Sequence, residues 1–524
     1  MSTTSATHWS RLRRPAVLDP VGVGVVALVV YALHGYDALL TPDLAIFTYG
    51  GERMAHGVPP YVGVFNSVGP LADAVPGLAV WLGHLVGAGP LPSVRVVFTL
   101  LSALSCALVC VLARDTFGSR AAGLVAPAVF LTFERYLQLA SDGPREKTTM
   151  VVCLLAALIL AGRRRWLGAG VFTALATLTW QPSLLVAVAT VVVAIVVSGA
   201  HRWAAGLRFV VGGVVTTAAF VVWFALAGSL RQAFDGFVLV NLLYTSQPSA
   251  ITQPGPTWSM LWAEYHGTLV VALLGLVAML GLAAAALPAV VRRSAGERSP
   301  GPGRVLAVGT GCLAGCLWTL AVINGGPDLF VLLPLAALGL AGLGVLLVER
   351  LPRRIGSVAV AAAVCLAVGV AGVEAVSTRN DGLLLQRADV RALLATQPAG
   401  ATLLSVDAPA VPAIADVTSI WPWQLFDARM LRFLAHTQPG GLSGLAHRFA
   451  AARPTFVVTA PHYPAAWPQG VLRRDYWNVG HGPGWTWYLS RTAGRAAFQR
   501  AQAANTSAMS AFSSVVHGHP RWTG

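Results

Sequence analysis

The sequence predicts a polytopic α-helical membrane protein of about eleven transmembrane helices, followed by a small soluble α/β domain. Of its 524 residues, 56% are hydrophobic and only 11% are charged. The mean hydropathy of +0.66 is far above the value expected of a soluble protein. Apolar runs of roughly 20 residues, the length that crosses a bilayer, recur until about residue 375 and then stop.

The N-terminus sets the predicted orientation. Residues 1–19 are polar and basic, and no small-residue cleavage site follows them, so we predict a cytoplasmic tail and an uncleaved first span. Residues 20–375 are predicted to form the transmembrane domain. Its predicted spans are residues 20–40, 93–113, 121–140, 148–162, 167–180, 182–199, 208–228, 267–290, 304–323, 329–348 and 356–375.

One further segment, residues 70–86, is apolar but marginally short for a span. If it crossed the membrane, five basic clusters would face outward, against the positive-inside rule. If it lies along or dips into the outer leaflet, those clusters are cytoplasmic. We therefore predict a juxtamembrane segment within an outer loop of residues 41–92. The clusters are residues 114–120, 163–165, 201–208, 292–304 and 349–354.

The net charge of +15 comes largely from such clusters between apolar runs, where cytoplasmic loops hold basic residues, so nucleic acid is not a predicted partner. The cysteines all fall inside apolar runs, which favours packing over a disulfide framework or a metal pair. They are Cys106, Cys110, Cys153, Cys312, Cys316 and Cys365.

Residues 376–491 are predicted to form the soluble domain. Because the number of predicted spans is odd and the N-terminus is predicted to be cytoplasmic, this domain is expected on the outer side of the membrane. Residues 402–408 and 454–460 have the pattern of buried strands, with helical patterns near 389–396 and 442–452. The tail, residues 492–524, is rich in Ala, Ser and Thr and is predicted to be disordered.

The stretch 41–69 is a polar loop punctuated by glycine and proline, directly after the first span. Its length indicates a reaction site more than a connector. Asp43 follows Pro42 at the membrane boundary, which suits a general base. It also suits the N-cap of a short helix beginning near Leu44. Both roles stay open at this stage.

The turn 140–148 concentrates Asp142, Arg145, Glu146 and Lys147 between two spans. Lys147 is the only lysine among 36 lysine and arginine residues, and lysine is a common phosphate ligand. A snorkelling anchor at a helix end is the alternative. The same alternative applies to Arg95, which begins a span on the outer side, where a phosphate or Asp43 would offset the cost of burying its charge.

Other polar residues on the predicted outer side are candidates for substrate binding. The segment 228–266 mixes aromatic and polar side chains in a way typical of sugar-stacking surfaces and equally of interfacial aromatic belts. Asp328 is interpreted as the cap of the following helix. The substrate-binding candidates are Glu52, Tyr61, Asp142, Glu146, Asn241, Tyr244 and His266.

The order of these features resembles a known enzyme class. Asp43 after the first span, the run TYGGERMAHGVPPY, an apolar Gly-Pro-Leu segment, Arg95 and a Gly-Pro-Arg-Glu turn follow one another. This order is similar to that of the GT-C superfamily of polyprenyl-phosphate-sugar-dependent glycosyltransferases, which includes protein O-mannosyltransferases and aminoarabinose transferases. The resemblance covers nearly the whole chain, including the soluble outer domain.

The resemblance implies that Asp43 is the catalytic carboxylate and that Arg95, Arg145 and Lys147 contact the lipid phosphate. At Leu44 many relatives have a second acid, so the resemblance favours a reaction with no metal and no cofactor over one with a divalent cation. The expected reaction transfers a sugar, with inversion, from a polyprenyl-phosphate donor to a glycan, lipid or protein of the cell envelope.

The abundance of Ala, Gly, Val and Arg, with one lysine, indicates a GC-rich bacterial genome and hence a bacterial inner membrane. Two other functions are weighed against the enzyme. A lipid or sugar transporter or flippase would be expected to carry inverted repeats and discontinuous helices. A non-catalytic GT-C-like protein would bind envelope partners through its outer domain, and Leu44 keeps this alternative open.

Overall fold

The computed structural model describes residues 5–199, 201–244, 250–292, 301–397, 400–461 and 466–516, with side chains described between residues 17 and 510. The α-helices are α1 Ser5–Leu33, α2 Pro42–Ala55, α3 Leu71–Leu85, α4 Pro90–Phe117, α5 Arg120–Leu131, α6 Glu134–Asp142, α7 Glu146–Gly162, α8 Trp166–Thr177, α9 Ser183–Ser198, α10 Arg202–Leu226, α11 Leu230–Phe234, α12 Pro254–Tyr265, α13 Gly267–Val291, α14 Gly301–Ala321, α15 Leu333–Val348, α16 Arg353–Ser377, α17 Gly382–Leu394, α18 Ala410–Ala415, α19 Ala428–Thr437, α20 Gly441–Ala452, α21 Gln469–Asp475 and α22 Arg495–Val516. A π-helix spans Asp235–Tyr244, and 3-10 helices span Gly326–Val331 and Arg491–Ala493. The strands are β1 Leu403–Val406, β2 Phe456–Thr459, β3 Tyr476–Gly482 and β4 Trp485–Ser490.

Every predicted span overlaps an observed helix, which confirms the polytopic helical class. The run 121–140 is divided, because α5 ends at Leu131 and the amphipathic α6 begins at Glu134. The count of eleven crossings stays a prediction. Within the described residues, five helical segments are long and apolar enough to cross a membrane: Pro90–Phe117, Arg202–Leu226, Gly267–Val291, Gly301–Ala321 and Arg353–Leu394.

The first outer loop is built around α2, which begins at Pro42. Proline at the first helical position has the required φ and lacks an N–H that would go unbonded. Thr41, in an extended conformation, is the N-cap residue, so the N-cap interpretation of Asp43 is wrong. Asp43 lies in the first helical turn, where a carboxylate complements the helix dipole. From Leu44 to Glu52 the helix is buried, and it packs against α3.

The part of this loop that leads into α3 docks onto the turn between α8 and α9. Gly69 N–H donates to the Thr179 carbonyl at 3.3 Å, and Leu71 N–H donates to the Leu178 carbonyl at 3.2 Å. A Cβ on residue 69 would lie 1.9 Å from the Leu178 carbonyl oxygen, so the approach requires glycine. The placement of α3 along the outer leaflet stays a prediction.

The C-terminal domain contains a four-stranded sheet in the order β1-β2-β4-β3, which confirms the predicted α/β unit. β1 and β2 are parallel, whereas β4 is antiparallel to both β2 and β3. The predicted strands at 402–408 and 454–460 contain β1 and β2. Trp485 and Trp487 lie on one face, and their indole N–H groups both donate to Asp389 Oδ2, at 2.8 and 2.7 Å.

The prediction of a disordered tail is wrong for residues 495–516, which form α22. Ala497, Ala501 and Asn505 are buried. Their spacing of four places them on one helical face, and the two alanines are small enough for close packing against the domain. Asn505 Nδ2 also donates to Asp389 Oδ1 at 3.1 Å. Residues 517–524 of the predicted tail lie outside the described part of the chain.

The C-terminal domain docks directly onto the first outer loop. Phe65 N–H donates to the Pro422 carbonyl at 2.9 Å, and the Phe65 ring stacks on Phe433 with ring centroids 5.2 Å apart. Tyr49 Oη accepts from Ser419 N–H at 2.9 Å. These contacts join the C-terminal domain to the middle of α2 and to the segment between α2 and α3.

Candidate active site

A cavity of about 460 Å³ lies where the first outer loop, the α6–α7 turn, the α8–α9 turn, the π-helix and the C-terminal domain meet. Charged and polar side chains from distant parts of the sequence share its wall. The charged residues that line it are Asp43, Arg135, Arg145, Glu146, Lys147, Glu264, Asp328, Asp427 and Arg429.

Asp43 and Arg145 form the ion pair at the centre of this wall. Arg145 Nη1 lies 2.6 Å from Asp43 Oδ2. The Asp43 side chain is 60% exposed and opens into the cavity, whereas the Arg145 side chain is 10% exposed. The charge of Arg145 lowers the pKa of Asp43 below its ordinary value. Asp43 is therefore ionised in the resting site.

The turn before α7 positions Arg145. Gly143, with φ +148°, ends α6 in a backbone conformation that side chains disfavour, and Pro144 follows it. Arg145 is then the N-cap residue of α7. The first two residues of that helix are Glu146 and Lys147, so one helical start presents three charged side chains to the cavity.

Lys147 is held between two carboxylates. Its Nζ lies 2.7 Å from Glu146 Oε1 and 3.1 Å from Asp328 Oδ1. Glu146 Oε2 also lies 3.3 Å from Arg145 Nε, so one carboxylate spans both cations. Lys147 is 5% exposed and Glu146 is 3% exposed. Burial strengthens such contacts and makes the loss of any member costly.

Two further contacts fix this cluster. Lys147 Nζ lies 5.2 Å from the ring centroid of Trp180, within the range of a cation–π interaction. Asp328 Oδ2 accepts from Asn324 N–H at 2.7 Å. Asp328 does not cap the following α-helix, whose N-cap residue is Leu332, so that interpretation is wrong. One Asp328 oxygen instead binds the backbone at Asn324, and the other binds Lys147.

Arg135 is a third cation in the cavity wall, and it is not among the site residues predicted from the sequence. Its Nε lies 2.8 Å from Glu264 Oε2, and Glu264 Oε1 accepts from Gly326 N–H at 2.9 Å. Arg135 stands within the apolar run 121–140, which was interpreted as one span. The neighbouring Glu134 and the amphipathic pattern of α6 were the signals that could have revealed it.

Uncharged polar groups form another part of the wall. Asn241, on the π-helix, donates to the Ser67 carbonyl at 2.6 Å. Asn66 Nδ2 donates to the buried Asp73 Oδ2 at 3.0 Å. Insertions of π-helix often occur at functional sites. These bonds hold residues 66–68 against the cavity.

The C-terminal domain supplies the remaining charged pair. Arg429 Nη2 lies 2.7 Å from Asp427 Oδ2. Asp427 Oδ1 accepts from the N–H groups of Arg429 and Met430, both at 2.9 Å, and thereby caps α19. No site residue in this domain is predicted from the sequence, because a charged N-cap has the same sequence pattern with or without a cavity beside it.

Of the residues predicted from sequence, Asp43, Arg145, Glu146, Lys147 and Asn241 line the cavity. Arg95 does not. Its guanidinium donates to the carbonyl of Tyr36 and, at 2.7 Å, to that of Ala38. Arg95 is 1% exposed, and both of its terminal guanidinium nitrogens bind backbone carbonyl groups of the protein itself.

Asp142 and His266 are also engaged elsewhere. Asp142 Oδ1 lies 3.0 Å from His34 Nε2, between α6 and α1. His266 Nδ1 lies 2.9 Å from Glu134 Oε2. Neither residue lines the cavity.

Glu52, Tyr61 and Tyr244 do not line the cavity, and each contacts other parts of the protein. Burial raises the pKa of Glu52 to about 9, and a hydrogen bond with Asp416 adds to the shift. Tyr61 Oη donates to the Val68 carbonyl at 2.7 Å, so it supports the cavity wall from behind. The Tyr244 ring packs edge-on against Phe433, 5.7 Å between centroids.

Among the described residues, no group of three or more His, Cys, Asp and Glu side chains has the arrangement of a metal site. Glu146, Glu264 and Asp328 each already bind a cation of the protein. Independence from metal stays a prediction.

The fold is similar to that of ArnT from Cupriavidus metallidurans bound to undecaprenyl phosphate, with a TM-score of 0.51, 16% identity, and coverage of 92% of this chain and 98% of that chain. It is also similar to the Archaeoglobus fulgidus oligosaccharyltransferase in complex with Zn and sulfate, with a TM-score of 0.49, 14% identity and coverage of 84% and 68%. Arabinofuranosyltransferase AftD from Mycobacteria gives a TM-score of 0.48, 16% identity and coverage of 90% and 41%.

These three proteins are GT-C glycosyltransferases. The likeness to ArnT, at a TM-score of 0.51, confirms the predicted fold, a helical membrane domain followed by a small C-terminal α/β domain. No known protein-family model matches the sequence, and no curated protein matches it.

Proposed function

We propose that this chain is an integral membrane glycosyltransferase that transfers a sugar from a polyprenyl-phosphate-linked donor to a cell-envelope acceptor outside the cytoplasm. The observation that carries the proposal is the pairing of the exposed Asp43 with the buried Arg145, beside Lys147, in one cavity. The acceptor is a glycan, a lipid or a protein. The setting is a bacterial inner membrane with a cytoplasmic N-terminus and an extracytoplasmic C-terminal domain.

Asp43 acts as the general base. Arg145 engages its Oδ2, and no protein group among the described residues lies within hydrogen-bonding distance of its Oδ1. In the reaction Asp43 accepts the proton of an acceptor hydroxyl as that oxygen attacks the anomeric carbon. The bond between this carbon and the phosphate oxygen breaks, and polyprenyl phosphate leaves from the opposite face. The anomeric configuration is inverted.

The leaving phosphate needs positive charge where negative charge develops. Arg145 and Lys147 supply that charge, and Arg135 adds a third cation in the same wall. Each is held by a carboxylate, so the cations are already in place before the donor binds. Such preorganisation avoids the cost of rearranging the site during the reaction. Arg95 is assigned to holding residues 36–38, because carbonyl groups there accept from it.

The proposal is tested by transfer of radiolabelled sugar in membranes that contain the full chain. A panel of polyprenyl-phosphate sugars is supplied with and without a chelator. We expect transfer from at least one donor, and we expect it to survive the chelator because the site binds phosphate through arginine and lysine. Chelator-sensitive transfer would contradict metal independence. Binding of lipid without transfer from any donor would favour a transport or binding role.

The pH dependence of transfer tests the Asp43–Arg145 pair. An ionised base loses activity as the pH falls through its pKa, and Arg145 lowers the pKa of Asp43. Replacing Arg145→Gln is expected to move the acidic limb of kcat/KM to higher pH. Lys147 and Arg135 continue to lower the pKa, so the shift is partial.

The control is Arg387→Gln, because Arg387 pairs with Asp37 at 3.7 Å and does not line the cavity. This variant should keep the wild-type pH profile. Arg145→Lys retains the charge and should keep much of the wild-type limb. An acidic limb that stays in place in Arg145→Gln would exclude Asp43 as the titrating base.

A further inference from the structure

A second cavity, of about 770 Å³, lies in the C-terminal domain between α21 and the β3–β4 hairpin. Its volume falls within the range typical of small-molecule sites, roughly 300–1,000 Å³. None of its lining residues lines the cavity that contains Asp43. The polar side chains that line it include those of Gln469, Arg473, Asn478, His481, Thr486 and Tyr488.

A β-bulge brings the hairpin's polar side chains to one face. Asn478 pairs with Tyr488 across the strands, and His481 pairs with Thr486, with a register shift between Asn478 and Gly480. Residues three apart in a regular strand lie on opposite faces, but the extra residue of a bulge returns the second one to the same face. Asn478 and His481 therefore both join this cavity.

The opposite face of the same hairpin is core. Trp485, Trp487 and Leu489 alternate with the polar residues of β4 and are fully or almost fully buried. Apolar burial therefore fixes the register, because a slip of one residue would expose the tryptophans. The polar face is set by the same alternation, and α21 covers only part of it.

The chemistry of the lining matches a sugar. Hydroxyl groups of Thr486 and Tyr488 and amides of Gln469 and Asn478 can donate and accept hydrogen bonds. The Tyr488 ring is half-buried and offers an apolar surface for the C–H face of a pyranose or furanose ring. His481 Nδ1 lies 2.9 Å from Thr486 Oγ1, which orders that end of the cavity.

The charge of the lining is positive. No carboxylate lines the cavity among the described residues, whereas Arg473 does. The adjacent Arg474 pairs with Asp475 at 2.8 Å, but no ion pair forms at Arg473 within the described chain. An unneutralised guanidinium favours a ligand with a carboxylate or phosphate substituent.

We propose that this cavity binds an oligosaccharide segment of the acceptor, with an anionic substituent directed to Arg473. This inference rests on the proposed function, since it takes the acceptor to be a glycan. The cavity then acts as a second binding site that holds the glycan while its end is modified beside Asp43. The C-terminal domain contacts the first outer loop through Phe65 and Pro422.

The test measures direct glycan binding to the full chain in lipid nanodiscs by saturation-transfer NMR and by calorimetry. The probes are pentasaccharides of mannose, arabinose and galactose, together with trigalacturonate. We expect at least one probe to bind and Asn478→Ala to weaken its binding about tenfold, the effect of losing a well-placed hydrogen bond. Arg473→Ala should weaken trigalacturonate more than the neutral probes.

Arg474→Ala is the matched control, because it removes the neighbouring guanidinium of the same helix outside the cavity. It should bind every probe as wild type does. Equal binding by all variants, or no binding of any probe by the wild type, overturns the proposal. Asn478 is exposed, so its substitution does not threaten folding.

The Asp43→Asn variant separates this proposal from the proposed function. It should bind the probes with wild-type affinity, because Asp43 does not line this cavity. If binding depends on Asn478 while no donor supports transfer, the glycan site stands and the transferase proposal fails. If transfer occurs and no glycan binds, the transferase stands and this site is excluded.

Discussion

Asp43→Asn is expected to reduce transfer about 10²- to 10⁴-fold, the usual contribution of a positioned general base. The substitution keeps the size of the side chain but removes the charge that accepts the proton. Donor binding should change little, because Arg145 retains its contact with Glu146 and Lys147 keeps both carboxylates. Initial rates at saturating donor, with donor binding measured separately, give the answer.

Asp37→Asn is the control for this prediction. Asp37 lies between α1 and α2, pairs with Arg387 and is absent from the cavity wall. Its replacement should leave turnover within a few-fold of wild type. If Asp43→Asn behaves like Asp37→Asn, another group accepts the proton and the assignment of the base is wrong.

Lys147→Met is expected to impair both folding and donor binding. It leaves Glu146 and Asp328 buried with less compensating charge, and breaking a buried ion pair costs about 3–5 kcal/mol. We expect a clear fall in the apparent Tm of the purified protein. We also expect weaker binding of polyprenyl phosphate, because the ammonium is one of the proposed phosphate contacts.

A second substitution distinguishes these two effects. Asp328→Asn in the Lys147→Met background removes one of the unpaired charges and should recover part of the Tm without recovering lipid binding. Arg163→Met is the control for charge loss, since Arg163 and Asp115 form an exposed pair at 2.6 Å whose loss costs about 1 kcal/mol or less. Wild-type lipid binding by Lys147→Met would exclude its phosphate role.

Local features of the sequence were sufficient to locate half of the site. Asp43 was predicted because it follows Pro42 directly after an apolar run, and Lys147 because no other lysine occurs in the chain. Arg145 and Glu146 stand beside Lys147 in one short turn. These signals are visible without a fold, because composition and spacing alone set them apart.

The partners of these residues were not visible in the sequence. Arg135 looked like part of a span, and Asp328 looked like a helix cap. Their roles depend on Glu264 and Lys147, which come from other helices. Arg95 is a predicted phosphate ligand that instead binds backbone carbonyl groups. These groups lie 59 and 57 residues upstream, so the sequence pattern around Arg95 does not reveal them. A buried arginine near a site is as readily satisfied by backbone as by ligand.

The tail shows the same limit on a larger scale. The segment that contains Ala497, Ala501 and Asn505 has the composition of a low-complexity sequence. Only the folded domain shows that these three side chains are buried. A stripe of small residues has little burial energy of its own, so the sequence pattern does not distinguish a docked helix from a disordered tail.

The sequence by itself determined the apolar helices, the two buried strands and the charged turn before α7, because hydrophobic periodicity and residue type act over short distances. Only the tertiary structure decided which charges meet. Asp43 and Arg145 are 102 residues apart in the chain. Their ion pair exists because the start of α2 and the turn at Gly143 are packed together.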